Sequence, residues 1–207
     1  MTDPQGSVDT EKSDKFLPAV KLLQAVHAED PNKTTVDGAE RPYEEVYAER
    51  MSEVLDDLYP NSSELLSLAA VAQHLGRWKV LRSDYPEGRT GYFQWRNEQK
   101  RMHAEHAGEI MIQCGYSVDD VRRVKSLIRK EKFKQDPEAQ ALEDVACVVF
   151  MKYYFDDFLE KYKYDDEKVI NIIQKTWAKM SETGHQGALK LKFDDYVTSL
   201  VQRALAG

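Results

Sequence analysis

The stretch ALEDVACVVFMKYYF, residues 141–155, decides the fold of this chain. Two carboxylates and one lysine are the only interruptions of its apolar and aromatic composition, so a helix formed from it is hydrophobic on every side. Such a helix is expected at the centre of a bundle, where neighbouring helices cover all of its faces. Asp136 and Pro137 precede it, and these residue types are preferred at the cap and at the first position of a helix.

Helical periodicity continues on both sides of this stretch, and no convincing strand alternation accompanies it. Two segments rich in turn formers, 30–42 and 181–187, are interpreted as connections. The predicted fold is all-α, with one bundle domain of about seven or eight helices over residues 15–207 and a disordered tail at residues 1–14. The other helices are predicted at about 15–29, 43–59, 61–77 and 92–114, then from Ser117, from Asp165 or Asp166, and over 193–205.

The composition is that of an ordinary globular protein, because 42% of the 207 residues are hydrophobic and 31% are charged. The longest apolar run, VACVVFM at 145–151, is far shorter than the roughly 20 residues of a membrane-spanning helix. The first residues also lack the basic and then apolar layout of a signal peptide. Cys114 and Cys147 show no CxxC spacing, which fits a reducing compartment and excludes a cysteine-based zinc site. We therefore expect a cytoplasmic protein.

The net charge of -7 conceals one positive segment. Between His74 and Lys134 the basic side chains outnumber the acidic ones, although the rest of the chain is strongly acidic. This distribution argues against general coating of duplex DNA and fits a focused site for a phosphate or another anion. A solvated set of mixed charges on helix faces is the alternative interpretation.

Asp144 is the first candidate functional residue, because it lies in the most hydrophobic helix. An ionised carboxylate in an apolar environment costs several kcal/mol unless a cation or dense hydrogen bonding compensates it. We expect a metal ion, an imidazole or an arginine from another helix beside it. Alternatively, Asp144 lies at the rim of the bundle and is solvated or paired in a salt bridge.

His74 and His103 are the imidazoles best placed for this role, since each lies next to the apolar stripe of an amphipathic helix. Together with Asp144 they form a partial set of ligands for one divalent ion, with zinc, manganese, iron and magnesium as candidates. The alternative for each histidine is an ordinary position in the core or at its boundary. His27 and His185 are interpreted as surface or turn residues.

Basic and aromatic residues alternate between the two histidines. Arginine binds phosphate or carboxylate with its planar guanidinium group, and aromatic rings beside it stack nucleobases. A nucleotide or an RNA end would use both properties, whereas in the alternative interpretation the rings face the core and the arginines contact helix ends or acidic neighbours. The predicted substrate-binding residues are Arg77, Trp78, Arg82, Arg96, Lys100, Arg129 and Lys130.

The order of these segments resembles HD-type metal phosphohydrolase domains, an all-α fold named for adjacent His-Asp metal ligands. LLSLAAVAQHLG (65–76), MHAEHAGEIMIQCGYS (102–117) and LEDVACVVF (142–150) carry the resemblance, which implies His74, His103 and Asp144 as metal ligands. Leu75 stands where the paired aspartate of an HD domain is expected, so the resemblance implies a mononuclear or metal-free site rather than the usual dinuclear centre.

Nearly the whole chain from about Phe16 also resembles the domain-of-unknown-function family numbered 4202. The resemblance carries no activity with it. The matching stretches include AEDPN, ERM, AQHLGRW, RSDYP, GYFQWR, SLIRKEKFKQDP, LEDVACVVF and KTWAKMS.

These observations predict an HD-like, metal-dependent hydrolase that acts on a phosphate-bearing substrate, a nucleotide or an RNA-linked group. One divalent ion would supply the hydroxide, and Glu143 is the candidate acid or base. Two alternatives remain: a non-catalytic module that binds nucleotide or RNA on a degenerate HD-like scaffold, and an HD-like iron oxygenase. Nucleotide-binding loops of the P-loop and GxGxxG types, the GxSxG elbow and the HExxH motif are absent, which argues against kinase, dehydrogenase, serine hydrolase and zincin activities.

Overall fold

The computed structural model describes residues 12–162 and 165–206. The first eleven residues of the predicted tail lie outside the described residues. The remainder of that tail includes Ser13, whose hydroxyl donates a hydrogen bond to Glu64 Oε1 over 2.7 Å. The chain divides into two compact units, the first ending at Glu131 and the second beginning at Lys132.

The first unit consists of five α-helices and one short β-hairpin within the described chain. Two 3₁₀ turns, Arg77–Lys79 and Arg82–Asp84, connect the third helix to the fourth. The elements are α1 (Phe16–Ala28), β1 (Lys33–Val36), β2 (Ala39–Pro42), α2 (Tyr43–Leu58), α3 (Glu64–Val71), α4 (Gly88–Gln113) and α5 (Val118–Arg129).

The hairpin of β1 and β2 replaces what we predicted to be an irregular connection. Lys33 pairs with Pro42 and Val36 with Ala39, so only two residues form the turn. Both of them have positive φ, 52° at Asp37 and 80° at Gly38, as a type I′ turn requires. The prediction failed because neither strand has a buried face, so hydrophobic alternation gave no signal.

α3 is the central helix of the first unit. It contacts α1, α2 and α5, and its residues from Leu66 to Val71 are all buried. Its cap is Ser63, whose side chain accepts from the backbone N–H of Leu66, rather than the predicted Asn61. The helix ends at Val71 instead of Arg77, and the chain then turns through Gly76, which has the left-handed φ of 72°.

The second unit contains five further α-helices and a π-helical stretch, Phe150–Tyr154, that continues the buried sixth helix. Its apolar core centres on Phe155, Ile173 and Leu200. One helix occupies the SETGHQG segment that we predicted to be a turn, because the side chain of Ser181 caps it. The helices are α6 (Pro137–Val149), α7 (Phe155–Tyr162), α8 (Asp166–Trp177), α9 (Glu182–Leu189) and α10 (Asp195–Leu205).

The all-α prediction is confirmed, since the described residues form ten α-helices and only one two-stranded sheet. The number of helices exceeds the predicted seven or eight because the π-helical stretch separates α6 from α7 and because α9 was not foreseen. In the part of the chain that the structure describes, no helix has the length and apolar character needed to cross a membrane.

Candidate functional site

His74 lies in the turn that follows α3, where it is half-buried between two residues of α2. Its ring stacks on the ring of Tyr47 with centroids 4.0 Å apart and an interplanar angle of 11°. Its Nδ1 lies 3.0 Å from Glu44 Oε2. The packing of α2 against α3 thus fixes both the plane of the imidazole and the partner of one ring nitrogen.

Glu44 is the buried carboxylate of this site, with 4% of the residue exposed. Its backbone N–H donates to Asp30 Oδ2 over 3.0 Å, which anchors the first turn of α2 to the loop after α1. Burial raises the pKa of the Glu44 carboxyl to about 7, although the positive charge of Arg77 acts in the opposite direction. Near neutral pH this group therefore exchanges readily between its acid and carboxylate forms.

His103, on α4, presents an imidazole nitrogen without a partner. Its Nδ1 lies 2.8 Å from the carbonyl oxygen of Leu75, which only accepts hydrogen bonds, so Nδ1 carries the proton. Burial, aided by His74, lowers the pKa of His103 to about 3 and keeps the ring neutral. Its Nε2 is buried and makes no hydrogen bond to the described residues.

Arg77 lies close to both the Glu44 carboxylate and the His74 imidazole. Its Nε lies 3.6 Å from Glu44 Oε1, and its Nη1 lies 3.5 Å from His74 Nε2. The guanidinium carbon also lies 4.9 Å from the ring centroid of Trp95. The side-chain amide of Gln99 donates to the carbonyl oxygen of Arg77 over 2.9 Å and so fixes the backbone of the 3₁₀ turn.

The electrostatic environment of His74 is strongly positive. Burial is the main reason why its pKa lies well below the ordinary value of 6.5, and the charges of Arg77, Lys130 and Arg96 lower it further. Three cationic side chains from three parts of the first unit thus act on one neutral imidazole. An anion placed among them would be stabilised by all three charges.

The other predicted substrate-binding residues have protein partners or lie partly buried. Arg82 donates to the carbonyl oxygen of Tyr85 over 3.0 Å, and Arg129 forms an ion pair with Glu105. Trp78 and Lys100 are half-buried. Of the predicted residues, Arg77 contacts His74, and the charges of Arg96 and Lys130 lower its pKa. The roles of all seven residues in substrate binding stay predictions.

Asp144 is fully buried in the second unit, at the contact between α6 and α9. Its Oδ1 accepts from the backbone N–H of Ser181 over 2.7 Å and from Gln140 Nε2 over 2.9 Å, and its Oδ2 accepts from the Ser181 hydroxyl. A side chain at Gly184 would place its Cβ 2.7 Å from Oδ1. These donors supply the dense hydrogen bonding that the buried carboxylate requires, and they hold the start of α9 against α6.

The metal-ligand role of Asp144 and the acid or base role of its neighbour Glu143 stay predictions. Glu143 is buried and lies 3.6 Å from the Lys179 ammonium group. Within residues 12–162 and 165–206, no group of three or more histidine, cysteine, aspartate or glutamate side chains is arranged to hold a metal ion.

Sequence reasoning missed two residues of the site, Glu44 and His27. The prediction that His27 is a surface or turn residue is wrong, because it is fully buried and its Nε2 lies 2.8 Å from the carbonyl oxygen of Val71. Its spacing of four from Leu23 and of eight from Ala19, both buried, placed it on the inward face of α1. Glu44 precedes the buried Ala48 and Met51 by four and seven residues, which is also helical spacing, so the periodicity contained a signal for both.

Comparison with known proteins gives one match. No curated protein and no solved structure matches the chain. The family described as Domain of unknown function (DUF4202) matches residues 18–201, which is most of the chain. The chain therefore belongs to the DUF4202 family.

Proposed function

We propose that the first unit binds a phosphate-bearing ligand, with the phosphate beside His74 and in contact with Arg77, Arg96 and Lys130. One observation carries the proposal: Arg77 Nη1 lies 3.5 Å from Nε2 of His74, an imidazole whose pKa is lowered by burial and by the charges of Lys130 and Arg96 as well. Glu44 supplies one carboxyl group 3.6 Å from Arg77 Nε, and a phosphate would add further negative charge to this site. Guanidinium groups suit phosphate because their planar N–H groups match two of its oxygens.

The raised pKa of Glu44 strengthens this proposal. Because that pKa is about 7, the carboxyl group is only partly ionised near neutral pH and neutralises Arg77 incompletely. A bound phosphate dianion would favour protonated Glu44, because protonation removes the repulsion between two negative charges. It would also raise the pKa of His74, because it attracts the positively charged imidazolium form. Ligand binding is therefore expected to be accompanied by proton uptake.

The test is a calorimetric titration of the protein with adenosine monophosphate in the presence of EDTA, in two buffers of different ionisation enthalpy. Lys130 has a left-handed φ of 57°, which glycine adopts without strain, so Lys130→Gly removes the charge without disturbing the backbone. Arg101→Ala is the matched control, because Arg101 is an exposed cation of α4 paired with Glu98.

We expect saturable binding with proton uptake, weakened about tenfold or more by Lys130→Gly, as the loss of a charged hydrogen bond predicts, and unchanged by Arg101→Ala. Absence of binding, or equal affinity in the Lys130→Gly protein, would contradict the proposal. Binding that occurs only when a metal ion replaces EDTA would contradict the proposal that the side chains alone bind the phosphate.

A second candidate is metal-assisted hydrolysis of the same ligand, with His74 and His103 of the first unit as ligands of one divalent ion. The bare, buried Nε2 of His103 favours it, because such a nitrogen is a common ligand of divalent metals. The fit is partial, since the Arg77 guanidinium lies 3.5 Å from His74 Nε2 and repels a cation there. When bound, the ion would lower the pKa of a water molecule.

This candidate is tested by incubating the protein with manganese and p-nitrophenyl phosphate, with and without EDTA. Turnover that EDTA abolishes and that His103→Gln eliminates would support hydrolysis. If the protein binds adenosine monophosphate but shows no turnover with manganese, the binding proposal stands and the hydrolysis candidate is refuted.

A further inference from the structure

Four residues near the start of α4 form one outward face of that helix. Arg89 precedes Tyr92 and Phe93 by three and four residues, and Arg96 follows them by four and three, so each arginine neighbours both rings on the helix surface. We call them the α4 strip. Tyr92 and Phe93 are 41% and 46% exposed, which is unusual for two adjacent large aromatic residues.

The α4 strip has two aromatic rings between two arginines. The guanidinium carbon of Arg89 lies 5.5 Å from the ring centroid of Phe93, and that of Arg96 lies 5.8 Å from the ring centroid of Tyr92. Tyr92 also contacts Trp95, with ring centroids 6.0 Å apart. Each exposed ring therefore has a cation beside it and open surface left for another planar group.

The α4 strip starts at the candidate phosphate site. The guanidinium carbon of Arg77, the residue that contacts His74, lies 4.9 Å from the ring centroid of Trp95. Trp95 in turn contacts Tyr92 of the strip. From Arg96 to Arg89 the helix advances by roughly 10 Å at about 1.5 Å per residue. Stacked nucleotides are about 3.4 Å apart along a strand, so this length accommodates roughly three of them.

Single-stranded nucleic acid has the chemistry that matches this surface. Its phosphates are attracted by the arginines, and its unpaired bases present flat faces that stack on aromatic side chains. In a duplex the base faces are already stacked on one another and are not available to Tyr92 and Phe93. An acidic peptide would use the arginines but has no need of two exposed rings.

We propose that the α4 strip stacks the first bases of a single-stranded nucleic acid whose terminal phosphate occupies the site beside His74. This inference rests on the proposed function, because the His74 site supplies the anchor for the end of the strand. The aromatic rings then set a preference for an unpaired end over a free mononucleotide.

The experiment measures fluorescence anisotropy of six-nucleotide single strands in EDTA, each with a terminal phosphate at one end and the fluorophore at the other. Adenosine monophosphate binding is measured in parallel by calorimetry. The variants are Tyr92→Ala and Phe93→Ala. Ile112→Ala is the control, because Ile112 is an apolar residue of the same helix and is 63% exposed.

The strand should bind at least tenfold more tightly than adenosine monophosphate. Each aromatic substitution should weaken strand binding by fivefold or more, the loss expected when one base no longer stacks, and should weaken adenosine monophosphate binding less, because that ligand has only one base. The Ile112→Ala protein should bind both ligands as the wild type does. A strand without its terminal phosphate should bind less tightly.

The contrary outcomes separate this inference from the proposed function. If adenosine monophosphate binds but the strand binds no more tightly, or the aromatic variants keep full strand affinity, the stacking surface is refuted and the phosphate site stands. If a duplex of the same sequence or polyglutamate binds as tightly as the strand, the stacking surface is also refuted. If neither adenosine monophosphate nor the strand binds, both proposals fail.

Discussion

Replacing Glu44 by glutamine should change how the stability of the protein depends on pH. Burial raises the pKa of this carboxyl from the ordinary 4.5 to about 7. Between these two values the folded protein retains a proton that the unfolded chain has released, so the wild-type protein loses stability as pH rises through this range. At about 1.36 kcal/mol for each pKa unit, the total loss is about 3 kcal/mol.

Glutamine keeps the shape of the side chain and does not titrate. The free energy of unfolding of the Glu44→Gln protein minus that of the wild type should therefore increase by about 3 kcal/mol between pH 4.5 and pH 8. Other titrating groups contribute equally to both proteins and largely cancel in this difference. Urea unfolding followed by circular dichroism, at half-unit steps of pH, measures both free energies.

Glu49→Gln is the matched control, because Glu49 is a residue of the same helix whose side chain is 47% exposed. Its difference from the wild type should change much less with pH. A flat difference for Glu44→Gln, or one that decreases as pH rises, would refute the conclusion that Glu44 is a buried carboxyl of raised pKa.

Three further predictions concern His103, Ser181 and Gly76. The pKa of His103 is about 3 in the folded protein and ordinarily 6.5, so between these two pH values the folded state binds fewer protons than the unfolded state. The stability that His103 contributes above pH 6.5 is therefore lost as pH falls toward 3. Nitrogen-15 NMR at pH 5 should show Nε2 of His103 without a proton, and a doubly protonated ring would contradict this. Ser181→Ala removes a hydroxyl donor to Asp144 and the cap of α9, and urea unfolding should show a loss of about 2 kcal/mol that exposed Ser83→Ala does not cause. Gly76→Ala forces a β-carbon into the left-handed conformation at φ 72° and should lower the free energy of unfolding by about 1 kcal/mol, whereas an unchanged thermal midpoint would contradict the strain.

Local signals in the sequence predicted the starts of α5, α6 and α8. Ser117 and Asp120 form the expected capping box, and Asp136 and Asp165 cap the helices assigned to them. These signals succeed because a cap is an interaction between residues close together in the chain. The hairpin was missed because its strands lack an apolar face, although the Asp37-Gly38 pair is the usual residue choice for its turn.

The site was harder to predict because its partners come from distant segments. The carboxylate that contacts the His74 ring is Glu44, which precedes it by 30 residues and resembles an ordinary acidic residue of a first helical turn. Asp144 attracted attention because it lies in the most apolar helix, yet local donors at Ser181 and Gln140 account for its burial. Burial of a charge can be read from periodicity, but the identity of its partner depends on tertiary packing.

The most direct test of the central claim is an NMR titration of histidine-labelled protein with inorganic phosphate in EDTA at pH 7. We expect the ring resonances of His74 to shift with saturation toward a more protonated state, while those of His185, on α9, serve as the reference. Resonances of His74 that remain unchanged at saturating phosphate, or that move only after a metal ion is added, would contradict the claim that phosphate binds beside His74.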